Sequence, residues 1–326
     1  GFDRLRHALG AGAVAPTQVV IDAGRPGGAR APAVTAAFRR LQGSLRRDPE
    51  VAAVLPRIAV DSTGRYAFVQ SYGRHDYGEP QEQALVHRLR KRLVPAARFP
   101  AGTRVLVGGA PAQGVDFLHQ AYTLFPYLIA VVLVLTYLLL MRVFRSALLP
   151  IKAVVLNLLS VGASYGMLVV CFRWGLGHAV FGSLYRFGQV EGWIPIFLFA
   201  TLFGLSMDYE VFLVTRMREA WDAGADNDTA VAQGLERTGR IITAAAVIMV
   251  AAFSGFVAGR IVGLQEFGLG LAVAVFVDAT LVRSLLVPAL MAVLGRWNWW
   301  LPAPLARVVR VAPSPVERAQ VGEQLA

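Results

Sequence analysis

The sequence predicts an α-helical membrane bundle of about five spanning helices, preceded by a charged α+β domain. Three observations predict it. Only 16% of the 326 residues are charged, against about 25% in a soluble domain. Those charges are crowded toward the start: residues 1–119 hold 17 basic and 9 acidic side chains, whereas the 207 residues that follow hold 15 and 12. Three apolar stretches in the second part carry no charge and are long enough to cross a bilayer. This pattern excludes a disordered chain and a single soluble domain. The net charge of +11 does not point to nucleic acid, because the arginines lie mostly in the first domain and in short loops between apolar runs.

A spanning helix needs about 20 mostly apolar residues. Gln120–Met141, Ala153–Phe172 and Ile241–Gly259 meet that requirement without a charge. Two more runs are interrupted by ionisable groups: Gly192–Thr215 by Asp208 and Glu210, and Phe267–Gly295 by Asp278 and Arg283. Spans are therefore expected near 122–144, 150–172, 193–216, 241–259 and 265–294, within a membrane domain of residues 120–302. With residues 1–119 placed outside, the inside segments carry eleven Lys and Arg and the outside loops three, Arg173, Arg186 and Arg260. The positive-inside rule then makes the first domain external and residues 303–326 a cytoplasmic tail. Trp193, Trp297, Trp299 and Trp300 suit an interfacial aromatic belt.

Residues 1–119 alternate between two periods. Thr17–Ile21 is rich in β-formers. Val34, Ala37, Phe38, Leu41 and Leu45 form a helical stripe within Ala31–Arg47. Val51–Val60 and Tyr66–Tyr72 flank the turn signal Asp61-Ser-Thr-Gly64. Pro80–Val94 is a second amphipathic helix and Arg104–Val107 a last strand. The order βαββαβ is the ferredoxin-like, split βαβ arrangement, which hosts many functions. The basic runs on its two helices are expected to be solvated faces that can attract anionic headgroups.

Ionisable residues at membrane depth are costly and mark pathways or proton relays. Asp208 lies about eight residues from the cytoplasmic end of its span, roughly 12 Å deep. Tyr209 can share a hydrogen-bond network with a carboxylate, and Glu210 faces elsewhere, roughly 200° around the helix. Asp278 and Arg283 are about 140° apart on an ideal α-helix, which makes them poor partners for each other and better ones for adjacent helices, with Asp208, Glu210 and Asp278 all open as the carboxylate that Arg283 neutralises. Glu210, Asp278 and Arg283 thus form a candidate intramembrane charge network, structural or proton-carrying. Asn157, Ser160, Ser164, Tyr165, Thr243, Ser254 and Thr280 are expected at helix–helix contacts. No metal site or cofactor is expected: the lone Cys171 sits in an apolar run, and His7, His75, His87, His119 and His178 lie outside the spans without ligand spacing. No nucleophile motif is present, so the chain is not expected to be an enzyme.

The stretch Phe203-Gly-Leu-Ser-Met-Asp-Tyr-Glu-Val-Phe-Leu213, continuing to Arg216-Met-Arg-Glu-Ala-Trp221, closely resembles a span of the MMPL (mycobacterial membrane protein large) family of the resistance-nodulation-division superfamily. Glu236-Arg-Thr-Gly-Arg-Ile-Ile-Thr243, Val277-Asp-Ala-Thr-Leu-Val-Arg283 and Gly295-Arg-Trp-Asn-Trp-Trp-Leu-Pro302 are similar to later parts of it. The resemblance covers about residues 120–302; the first domain matches in layout only. It implies a proton-motive-force-driven exporter of lipids or other hydrophobic compounds in the cell membrane, built of twelve spans in two halves, each with an external porter domain. It implies that Asp208 and Tyr209 belong to a proton relay completed by a similar pair in the first half. This chain then corresponds to the C-terminal half. Its implied partners are membrane lipids, a hydrophobic cargo and the missing N-terminal half, with a homo-oligomer left open; the proton gradient is the energy source. The competing reading is a non-transporting assembly or sensing subunit with a sterol-sensing-like bundle.

Overall fold

The computed structural model describes residues 12–176, 190–259, 261–308 and 310–311. The expectations that rest on Arg186, Arg260, His178 and residues 312–326 fall outside them. The chain divides into two compact units, Gly1–Thr123 and Leu124–Ala326.

In the N-terminal unit, β1 (Gly12–Asp22) is followed by α1 (Pro32–Arg47), β2 (Val51–Val54), β3 (Ala59–Val60), β4 (Tyr66–Gly73), α2 (Pro80–Arg88) and β5 (Arg104–Gly109). Both helices start with proline in the first turn, where its missing N–H is not needed. The strand order is β2-β4-β1-β5, all antiparallel, and β3 also pairs with β4. Because β4 inserts between β1 and β2, the βαβ unit is split, as the ferredoxin-like pattern requires. The strand expected over Val51–Val60 breaks in two around Pro56, which has no N–H to give a ladder. The helical stripe of α1 (Phe38, Leu41, Leu45) meets Val19 and Ile21 of β1, Ala67 and Val69 of β4, and Leu85 of α2. The helix α2 continues through a π-helical turn, Leu89–Leu93, to Ala96. The opposite sheet face carries Phe68, Val20 and Leu106 in one cross-strand row, with Phe68 and Leu106 exposed.

The following helices are α3 (Ala110–Phe144), α4 (Leu148–Leu168, extended by a π turn to Arg173), α5 (Ile194–Asp222), α6 (Asn227–Val257), α7 (Val262–Val277), a π-helical segment Asp278–Leu286, α8 (Val287–Leu294) and a short α9 (Ala303–Val308). Five helical stretches are long and apolar enough to cross a membrane: Ala110–Phe144, Leu148–Arg173, Ile194–Asp222, Asn227–Val257 and Val262–Trp299. The fourth starts 14 residues before its charge-free run, so at 31 residues and 1.5 Å each it spans about 46 Å, more than a hydrocarbon core. Small residues let the helices approach closely. A Cβ on Gly234 of α6 would lie 2.3 Å from the Met217 side chain of α5, and one on Gly268 of α7 would lie 2.6 Å from the Phe253 carbonyl of α6.

Three expectations about the spans are corrected. Trp299 is not an interfacial residue: it is fully buried, stacked on Trp221 at 5.3 Å, with the Arg218 guanidinium 5.6 Å from its ring centroid. Lys152 and Arg218, counted among the inside loop cations, are buried. Arg218 spends its charge on Asp222 (3.0 Å) and the Phe144 carbonyl (2.9 Å). Thr243 and Ser254 on α6 and Thr280 on the π-helical segment are exposed rather than buried at contacts, and Thr280 donates to the Phe276 carbonyl of its own helix at 2.6 Å. Ser164 and Tyr165 do bridge helices, donating to the Gly270 and Pro195 carbonyls at 2.8 and 2.5 Å.

Candidate functional site

The site is assembled around the π-helical segment Asp278–Leu286. In a π-helix the backbone bonds run from i to i+5, so the wider turn brings residues five apart closer to one face than an α-helix does. This overturns the expectation that Asp278 and Arg283 point apart. The Arg283 Nε donates to Asp278 Oδ2 at 2.8 Å and both side chains are buried. The angle of 140° belongs to an α-helix, and the wider turn narrows it.

The pair is tied to two neighbouring helices. Ser206 of α5 donates to Asp278 Oδ2 at 2.9 Å, and Arg283 Nη2 donates to the Ser206 hydroxyl at 3.0 Å and to its carbonyl. Ser160 of α4 reaches Asp278 Oδ1 at 3.5 Å while bonding back to the Leu156 carbonyl. The guanidinium also lies 5.2 Å from the centroid of the Tyr209 ring, a cation–π contact strengthened by desolvation. The Tyr209 hydroxyl is 3.4 Å from Met249 Sδ on α6. A cavity of about 20 Å³, lined by Asn157, Ser160, Ser206, Tyr209, Asp278 and Arg283 among others, adjoins the network. That is room for about one water. Asn157 Nδ2 and Arg283 Nη1 are buried without a hydrogen-bond partner among the described residues, so two donors remain free at a polar cavity.

Of the five sequence-predicted residues, the structure brings together Tyr209, Asp278 and Arg283. Asp208 and Glu210 lie apart from that network. Glu210 faces elsewhere, as the helical phase implies; it is 5% exposed, and its charged neighbour is Lys152 of α4, itself 6% exposed. Glu210 Oε1 and Lys152 Nζ have no hydrogen-bond partner among the described residues. Asp208 is exposed on the outer surface of the helices. Ser160 stands at a helix–helix contact as expected, while sequence reasoning missed the roles of Ser206 and Lys152. Ser206, two residues before Asp208, gave a weak signal; Lys152 gave a misleading one, because a lysine near a span end resembles a loop charge. Among the described residues no group of three His, Cys, Asp or Glu could hold a metal ion.

Comparison with known proteins agrees with the motif reading. Residues 1–316 match the MMPL family. The chain is 38% identical over 308 residues to the heme uptake protein MmpL11 of Mycobacterium tuberculosis, covering 93% of this chain and 31% of that protein. It is 34% identical over 309 residues to the mycolic acid-containing lipids exporter MmpL11 of Mycolicibacterium smegmatis, covering 95% and 32%. Over 205 residues it is 40% identical to the trehalose monomycolate exporter MmpL3 of Mycobacterium tuberculosis, covering 62% and 21%. The chain thus spans about a third of the length of the MmpL11 relatives. With a split-βαβ domain ahead of five apolar helices, an Asp-Tyr-Glu stretch on the third of them and a match over nearly its whole length, this multi-pass membrane protein belongs to the MMPL family.

Proposed function

We propose that the chain works as the C-terminal part of a proton-motive-force-driven exporter of lipids or other hydrophobic compounds across the cytoplasmic membrane. In this reading the N-terminal unit is external, the C-terminus is cytoplasmic, and Asp208 and Tyr209 carry the proton relay. One observation supports the assignment above the others: adjacent residues of α5 serve different surroundings. Tyr209 covers the Arg283 guanidinium inside the bundle, while Asp208 is exposed on its outer surface. A bare carboxylate facing hydrocarbon is costly, so an outward Asp208 calls for a partner from outside the described residues. The missing half of the transporter supplies it. Protonation of Asp208 then alters the charge next to Tyr209, and through that ring the environment of the Arg283–Asp278 pair. The names of the relatives, two of them exporters of mycolate-type lipids, support a hydrophobic cargo.

The test is Asp208→Asn in the complete transporter, which preserves side-chain volume and removes the titratable proton. In vesicles with an imposed pH gradient, gradient-driven cargo movement should fall at least about tenfold, while the melting temperature stays near that of the unaltered protein. Undiminished proton-driven transport by Asp208→Asn would refute the relay role.

A further inference from the structure

The two helices of the N-terminal unit carry an imbalance that the transport reading does not use. Between them, residues 32–47 and 80–98 contain nine Lys and Arg and a single acid, Glu82. Glu82 is buried beneath α2 and cannot offset charge at the surface. Two of the cations are matched: Arg88 by Asp48 at 2.7 Å and Arg90 by Asp116. Arg40 donates to the Ala97 and Arg98 carbonyls. The other six, Arg39, Arg46, Arg47, Lys91, Arg92 and Arg98, are exposed and form no ion pair among the described residues.

These six share one surface. Arg40 fastens the middle of α1 to residues 97 and 98, and Arg88 fastens Asp48, just past the end of α1, to α2. The two helical stretches therefore run antiparallel side by side on one face of the sheet. Their buried residues, Phe38, Leu41, Leu45, Leu85 and Leu89, all turn toward the sheet, so the cations occupy the opposite, outer side of the layer. An ordinary solvated helix face intersperses both signs, since like charges three or four residues apart repel and opposite ones attract. The described acids of this unit outside the helices, such as Asp22, Asp61 and Asp76, stand in strand ends and turns instead.

We propose that this outer helical layer is a docking surface for an anionic phospholipid bilayer. Five of the six cations are arginine, whose planar fork matches phosphate better than the point charge of lysine. The bilayer is favoured over other polyanions by chain connectivity. The last strand of the domain, β5, passes directly into α3, which continues without a break into an apolar candidate span. The domain is thereby tethered to a lipid surface and meets headgroups at high effective concentration. Each cation close to an anionic bilayer strengthens binding about fivefold, so three of them contribute roughly a hundredfold.

The test uses the full chain held in phosphatidylcholine nanodiscs and sedimented with vesicles of phosphatidylcholine alone or mixed with phosphatidylglycerol. The expected result is co-sedimentation only with phosphatidylglycerol, lost near 1 M salt, where the screening length is about 3 Å. The variant Arg46→Gln/Arg47→Gln/Arg92→Gln should bind roughly 100-fold more weakly, whereas lysine at the same three positions should bind within severalfold of the unaltered chain. The glutamine variant keeps every cation of the membrane unit, so the difference reports on the helical layer. Should that variant fail to fold, the single variants Arg46→Gln, Arg47→Gln and Arg92→Gln decide instead, each expected to bind about fivefold more weakly. Binding that ignores phosphatidylglycerol, equal binding by the glutamine variant, or capture by heparin without vesicle binding would overturn the proposal.

Discussion

Asp278 in the membrane unit and Glu82 in the N-terminal unit are both buried carboxyl groups, 8% and 1% exposed, in opposite electrical settings. Asp278 has a guanidinium five residues along its own helix and the hydroxyls of Ser206 and Ser160. Glu82 accepts one hydrogen bond, from Thr17 at 2.9 Å, and its other oxygen has no partner among the described residues. That oxygen lies where a side chain at position 73 would begin: a Cβ on Gly73 would be 1.8 Å from it. Burial pushes Glu82 up to about 7, and the nearby Glu50 pushes the same way, while Thr17, His75 and Arg88 pull back. Glu50 is itself held by His75 at 2.8 Å. Two similarly buried carboxyls thus differ in the partners that surround them.

The comparison breaks most forcefully at Arg283. Arg283→Met preserves much of the volume and strands Asp278 in an apolar setting, which should cost about 3–5 kcal/mol, measured as a lower melting temperature in detergent. Combining it with Asp278→Asn should restore a large part of that loss. A single variant that melts like the unaltered protein would show that the pair does not hold the π-helical segment to α5.

Glu82→Gln should act in the other direction. Because the folded-state value lies above the ordinary 4.5, the stabilisation tied to the protonated carboxyl is complete below about 4.5 and is lost as pH rises through about 7. The unaltered protein should lose melting temperature over that window, and Glu82→Gln should flatten the decline. Asp22, held at about 2 by Arg65, titrates well below that window. A slope unchanged by the substitution would mean that Glu82 is not the titrating group. The smallest expected effect is that of Ser206→Ala, which removes one hydroxyl between the two charges and should cost about 1–3 kcal/mol, read by the same melt.

Much of this molecule is legible in its sequence. The α1 stripe and the turn at Asp61–Gly64 marked the first domain, and the charge-free runs marked the helices. What escaped were features that depend on which neighbour a side chain meets. Trp299 belongs to a group of tryptophans that suits an interface, yet it stacks on Trp221 in the interior. Lys152 follows a span boundary as a loop lysine would, yet it is buried on α4 near Glu210. Glu82 drew no notice because a glutamate in a first helical turn is ordinary, and only the space above Gly73 shows that it is enclosed.

The sequence by itself determined the two-part architecture, the five long apolar helices and the split-βαβ order. These follow from period, length and composition along one dimension. The tertiary structure alone decided how the charges within those helices pair. An α-helical phase separates Asp278 from Arg283, and a π-helical turn reunites them. Asp208 and Tyr209 are neighbours in sequence, yet one faces outward and the other covers a guanidinium. The physical reason is that helical phase and inter-helix distance are set by packing across the bundle, whereas the residues that pack can be some seventy positions apart, as Ser206 and Asp278 are.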